Sequence, residues 1–211
     1  EYLIRPIMQC WLGEKADVAL GVAAHATNNV TGETLLHWHW RLLWVTPTVG
    51  TEVGMYAFPN HAIRQVGERQ KVVFQPDAYL GHIQEVADFL DRVMVPYPYI
   101  QSDIHSHGAA SGGPIFNSEG AVIGINCAWL KPEGPEFGAQ IRCLQDAFID
   151  DAVLLGESVP RRVTFTELVS AGVIDVTSFT IAADPQPGRL VRLDVVPITA
   201  RGPEIETIMY F

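Results

Sequence analysis

Apolar residues recur at every second position through several short stretches of this chain, and polar turn residues punctuate them. That period of two belongs to half-buried β-strands, and regular interruption by Gly, Pro, Asn and Asp belongs to an all-β fold. The pattern predicts strands over residues 2–11, 17–24, 35–45, 50–58, 71–75, 78–87, 93–104 and 120–129. Within 35–45, His37 and His39 fall on one face and Trp38 and Trp40 on the other. Further on, Thr164 followed three places later by Glu167, ahead of apolar residues and Gly172, predicts a short helix closed by a capping box. Two β-like runs, 177–183 and 189–197, flank a turn at 184–188. No internal repeat or low-complexity segment interrupts the series.

Composition narrows the class. The 211 residues are 48% hydrophobic, enough for a substantial core, and include 18 Gly and 14 Pro, as a turn-rich β protein requires. A formal net charge of −10 argues against a nucleic-acid backbone or an anionic membrane surface as partner, because both reward cationic patches. No apolar stretch is long enough to span a bilayer. Three cysteines, Cys10, Cys127 and Cys143, show no paired spacing and read as reduced thiols. That favours a cytoplasmic, bacterial-type protein, with a periplasmic or secreted location as the alternative should a signal peptide precede Glu1. Asn29-Val30-Thr31 fits a glycosylation sequon and carries no weight.

The chemistry concentrates at residues 108–125, Gly-Ala-Ala-Ser-Gly-Gly-Pro-Ile-Phe-Asn-Ser-Glu-Gly-Ala-Val-Ile-Gly-Ile. A serine on a glycine-rich loop that feeds a hairpin can sit beside converging backbone N–H donors, the arrangement that acyl transfer needs. This run resembles the nucleophile loop of the trypsin-like (chymotrypsin-type) serine peptidases. Ala16-Asp17-Val18-Ala19-Leu20 resembles the aspartate motif of the same family, and residues 47–59 resemble the strand that opens its second barrel. The resemblance covers roughly residues 1–145.

The resemblance implies an all-β, chymotrypsin-like double β-barrel whose N-terminal barrel is incomplete. Residues 1–46 would hold the rest of that barrel and the catalytic Asp, 47–149 the C-terminal barrel and the nucleophile, and 150–211 a C-terminal extension. It further implies Ser111 as nucleophile, Asp17 as the residue that orients the general base, and the N–H groups of Ser111 and Ala109 as the oxyanion hole. The family places glycine where Ala109 stands, so the hole requires a rearranged turn or a substrate that organises it. In the family the base histidine precedes the aspartate. His25, His37, His39, His61, His82, His105 and His107 all follow Asp17. The histidine is therefore expected upstream of residue 1, with a catalytically inactive relative that binds a peptide or protein partner as the alternative.

The primary specificity pocket of the family would here be lined by His105, Ser106, Asn126, Cys127 and Trp129. No carboxylate falls at the position that forms its base, so a lysine or arginine preference is not implied. The polar set suits an acidic or small polar side chain; a His105 that packs or faces solvent is an equal alternative. Two His-x-His pairs, His37/His39 and His105/His107, lack a third ligand at metal-binding spacing, and no metal or other cofactor is assigned. The substrate class implied is a peptide or protein.

Overall fold

The computed structural model describes residues 6–14, 16–24, 28, 30–32, 39–66, 69–88, 93, 95–106, 110–129, 134–154, 156–177 and 194–195. The first pair of strands, β1 (Ile7–Leu12) and β2 (Ala19–Ala23), runs antiparallel with Leu12 opposite Ala19. It forms a two-stranded sheet of its own, the part of the fold that precedes the main barrel. Next come β3 (Leu42–Leu43), β4 (Glu52–Val66), β5 (Arg69–Ala87), β6 (Tyr99–Ser102), β7 (Pro114–Asn117), β8 (Val122–Trp129) and β9 (Glu136–Gln140). Hydrogen bonds link them in the order β3-β8-β7-β4-β5-β6-β9, and β8 also pairs with β9. That last pairing closes six strands, β4 to β9, into a barrel, which leaves no open edge among them.

The barrel interior follows from the period of two. On β4, Val53, Met55 and Ala57 point inward, to meet Ile83, Ile100, Ile104, Ile115 and Ile123 from the other strands. Close approach dictates one residue inside. A Cβ on Gly138 would lie 2.5 Å from Ile115 Cδ1, so β9 can approach the opposite wall only with glycine there.

A 3₁₀ turn (Ile141–Leu144) then leads to β10 (Phe148–Val153), β11 (Arg161–Thr164), α1 (Phe165–Ser170), β12 (Val176–Thr177) and β13 (Asp194–Val195). The helix begins as its sequence dictates: Thr164 accepts from the Glu167 N–H, and the Glu167 carboxylate accepts from the Thr164 N–H at 2.8 Å. A second core joins the outer face of the barrel to this segment, with Tyr97, Tyr99 and Phe137 packed with Phe165, Val169 and Val18. Trp44 stacks on Phe165 at 5.1 Å between ring centres. A third core packs Leu20 and Val22 of β2 against Ile149, Val163 and Leu168. β12 lies parallel beside β3, so the residues after 150 are built into the fold at two places.

Several strand expectations change. Of the run 35–45, only Leu42–Leu43 is strand among the described residues; Trp40 packs edge-on against Phe116 and His39 lies 3.8 Å from Asp175. The run 93–104 shortens to Tyr99–Ser102, because Pro96 and Pro98 withhold the N–H groups that a ladder requires. Conversely, 50–58, 71–75 and 78–87 merge into one long hairpin of β4 and β5, with a register shift between Ala57 and Asn60 that lets it bend past Pro59. The turn at 184–188, the sequon at Asn29 and most of the two β-like runs around that turn lie outside the described residues.

Candidate functional site

Ser111 sits where the loop from β6 turns into β7. The turn is pinned from both sides: Gly113 N–H donates to the Ala110 carbonyl at 3.0 Å, and Gly112 N–H donates to the Asn126 carbonyl at 2.7 Å. The Asn126 N–H in turn donates to the Gly113 carbonyl at 2.8 Å. Gly112 has φ +84°, the left-handed conformation that a Cβ disfavours. Gly113 is glycine for a different reason, since a Cβ there would meet the Tyr56 and Ala110 carbonyl oxygens at 2.8 and 2.9 Å. Both glycines therefore serve to hold the serine on the β8 strand.

The Ser111 side chain is exposed, and its hydroxyl makes a long contact, 3.4 Å, with the Cys127 carbonyl. Its own N–H has no acceptor among the described residues, whereas those of Gly112 and Gly113 are committed within the loop. Ala109, expected as the other oxyanion donor, lies outside the described residues, as do Gly108, His107 and His37. Beside Ser111 opens a cavity of about 410 Å³ lined by Trp40, Tyr56, Phe58, Ala110 and Pro114. Its walls are mostly apolar.

Asp17 reaches the same neighbourhood from the first sheet. It is exposed, and its backbone carbonyl accepts from the Cys127 thiol at 3.3 Å. Cys127 thus lies between the two candidates, touching the Asp17 backbone through its sulfur and the Ser111 hydroxyl through its carbonyl. Burial pushes the Cys127 thiol up from its ordinary value, with smaller opposing contributions from the Ala139 backbone and the Tyr97 hydroxyl. Burial likewise raises the Tyr97 phenol, and the neighbouring Cys127 adds to it. A thiol held neutral is a poor nucleophile, so the cysteine here is a structural bridge.

The three histidines whose side chains are described are occupied elsewhere or face solvent. His82 lies 3.9 Å from Asp103, His39 pairs with Asp175, and His105 is exposed. None of these three is hydrogen-bonded to Ser111 or to Asp17.

On the pocket side, the fold supplies a residue that sequence reasoning did not place there. The Ser106 N–H and hydroxyl both donate to Oε1 of Glu136, at 3.1 and 2.5 Å. Glu136 comes from β9, where it stands opposite Ser102 on β6 and Trp129 on β8, and is 2% exposed. A carboxylate therefore touches Ser106, one of the residues expected to line the pocket, carried by a strand that reaches it only once the barrel has closed. No sequence spacing signals it; the hint is a charged residue at the head of a short strand that is otherwise uncharged.

No protein-family model matches the chain, and no curated protein does. Among solved structures, it is similar to a mutant of Rv3671c from M. tuberculosis H37Rv in its inactive form, with 15% identity and a TM-score of 0.42 over 65% of this chain and 59% of that one. It is similar also to a mutant of human heparin binding protein, with 12% identity and a TM-score of 0.44 over 66% of this chain and 62% of that one. A third, Deg5, shares 19% identity at a TM-score of 0.30, over 47% of this chain and 42% of that one. The chain spans somewhat more than half the length of the first two.

Proposed function

We propose that this chain carries the serine and the aspartate of a serine endopeptidase. The observation that supports it is the corner at Cys127, which touches both the Ser111 hydroxyl and the Asp17 backbone, with Ser111 at the edge of an open apolar cleft. In this reading Ser111 Oγ attacks a peptide carbonyl carbon while a base takes its proton. The carbonyl oxygen becomes an oxyanion to which the Ser111 N–H, without an acceptor among the described residues, donates. The C–N bond then breaks, the amine leaves with that proton, and water hydrolyses the acyl-serine by the same steps. Asp17 fixes the tautomer and orientation of the base. The base itself is a histidine encoded ahead of Glu1, because every histidine of the 211 residues follows Asp17. Trp40 and the residues Tyr56 to Phe58 then face the Ser111 loop across the cleft.

The test is labelling by a serine-directed fluorophosphonate. The product of the whole gene should be labelled at Ser111, and Ser111→Ala should abolish this. Residues 1–211 alone should label slower by roughly 10⁴- to 10⁶-fold, since an alcohol without its base keeps only residual reactivity. A whole-gene product that stays unlabelled would point to a non-catalytic domain that binds a peptide or protein through this cleft. Rapid labelling of residues 1–211 would show that one of the seven downstream histidines acts as base.

A further inference from the structure

Among its described residues, the connection that carries Ser111 from β6 to β7 is tied to β9 and β8 at two points. At the first, Ser106 gives both its N–H and its hydroxyl to one oxygen, Oε1 of Glu136, at 3.1 and 2.5 Å. At the second, the Gly112 N–H donates to the Asn126 carbonyl and the Asn126 N–H donates to the Gly113 carbonyl. The two anchors stand on neighbouring strands. Asn126 of β8 lies opposite Gly138 of β9, and Gly138 shares its face of that strand with Glu136, two residues away. Ser111 is held between them.

A buried carboxylate is a costly anchor. Glu136 is 2% exposed, its Oε2 is buried without a hydrogen-bond partner among the described residues, and no lysine, arginine or histidine pairs with it there. No countercharge offsets that desolvation. What the carboxylate supplies is a rigid hold. Its own backbone is paired on both sides, opposite Ser102 of β6 and Trp129 of β8, so it cannot drift with the loop. A charged acceptor in a dry site makes stronger hydrogen bonds than a neutral one. Two such bonds on Ser106 fix its backbone and its side chain together, five residues ahead of the reactive serine.

We infer that Glu136 is a positioning residue for Ser111: through Ser106 it fixes where the serine loop stands against β8, and so the reactivity of the hydroxyl rather than the affinity for substrate. The inference rests on the peptidase reading for the reaction that Ser111 performs. Attack needs the serine oxygen and the oxyanion donor held close to one geometry, and a misplacement of about 1 Å costs roughly 10²-fold. The donor available here is the N–H of Ser111 itself, so a shift of the loop displaces nucleophile and donor together.

Fluorophosphonate labelling of the whole-gene product over a range of probe concentrations separates the limiting rate from the half-saturating concentration. Glu136→Leu removes the acceptor and should lower the limiting rate by roughly 10- to 100-fold, with half-saturation changed by less than about threefold. Glu136→Gln keeps an acceptor for both Ser106 donors and should recover the rate to within about threefold of the parent. Ser106→Ala, which removes one of the two donors, should fall between them. An unchanged limiting rate in Glu136→Leu, a loss confined to half-saturation, or a Glu136→Gln as slow as Glu136→Leu would each overturn the proposal. Should Glu136→Leu fail to fold, Ser106→Ala decides, and a parent-like rate in it overturns the proposal. Amide hydrogen exchange across residues 106–113, followed by mass spectrometry, needs no labelling. Exchange there should be faster in Glu136→Leu and Ser106→Ala than in the parent, and equal exchange would overturn the anchoring role. An unlabelled parent whose exchange still depends on Glu136 removes the peptidase reading and keeps the anchor. A labelled parent whose rate and exchange ignore Glu136 removes the positioning role alone.

Discussion

Replacing Gly113 by alanine should be among the most damaging one-carbon changes in this molecule, and the reason is visible in the serine loop. The added methyl would sit 2.8 Å from the Tyr56 carbonyl oxygen and 2.9 Å from that of Ala110. Neither is the free end of a side chain. Tyr56 is locked into β4, and Ala110 receives the turn's own hydrogen bond from Gly113. Relief requires backbone movement, which places the cost toward the upper end of the 1–3 kcal/mol range for overpacking, about 2–3 kcal/mol. For a chain of this size that is a fall in melting temperature of roughly 4–12 °C. Gly112→Ala supplies the control. Its methyl meets nothing within 4 Å, and its cost is confined to the left-handed φ of +84°, about 1–2 kcal/mol. Urea unfolding of both variants beside the parent protein checks the order, with equal slopes confirming that only stability has changed. If Gly113→Ala unfolds at the parent's midpoint, or if Gly112→Ala is the costlier of the two, close approach is not what glycine provides at position 113.

Thr164→Ala should cost about 1 kcal/mol, read by the same unfolding assay, because it removes the side-chain acceptor for the Glu167 N–H at the start of α1. Phe165→Ala should cost about 3–5 kcal/mol, since the ring is fully buried and stacked on Trp44. Burial pushes the Cys143 thiol up to about 11, so the folded protein holds that proton more tightly than the unfolded chain. The resulting stabilisation is complete below about pH 9 and fades as pH rises toward 11; Cys143→Ala should flatten this part of the stability profile. In the native state at pH 8, iodoacetamide should alkylate the exposed Cys10 well before Cys127 or Cys143, as peptide mapping by mass spectrometry would show.

What could be read in advance divides along a physical line. Local signals were legible. The capping box at Thr164 and Glu167 involves residues within one helical turn of each other, and the hairpin after Ser111 is announced by its Asn117-to-Gly120 turn. Where a strand stops was less legible, because pairing partners decide it. Residues 78–87 alternate like an independent strand, yet they continue β5 from Arg69, since β4 pairs with it as far as His82 and β6 pairs with Ile83 to Ala87. Likewise 35–45 has the alternation of a strand, but among its described residues only Leu42–Leu43 finds neighbours, β8 on one side and β12 on the other.

The site shows the same division more sharply. Ser111, Gly112 and Gly113 announce a tight loop by their residue types alone, since the turn from Ala110 to Gly113 and the positive φ of Gly112 are local, whereas the bonds to Asn126 that anchor it are not. Glu136 announces nothing, being 25 or so residues beyond the serine and separated from Ser106 by two strands. Its meaning depends on closure. When β9 pairs with both β6 and β8, the even-numbered positions Glu136, Gly138 and Gln140 all turn into the barrel. Gly138 provides the space that lets the strand come close, and Glu136 takes a place where an aliphatic residue would have sealed the core. A fold that needed only stability would gain from leucine there. Keeping a carboxylate there, one oxygen held by Ser106 and the other buried without a partner among the described residues, sets a desolvation cost against the hold it gives on the segment that leads to Ser111.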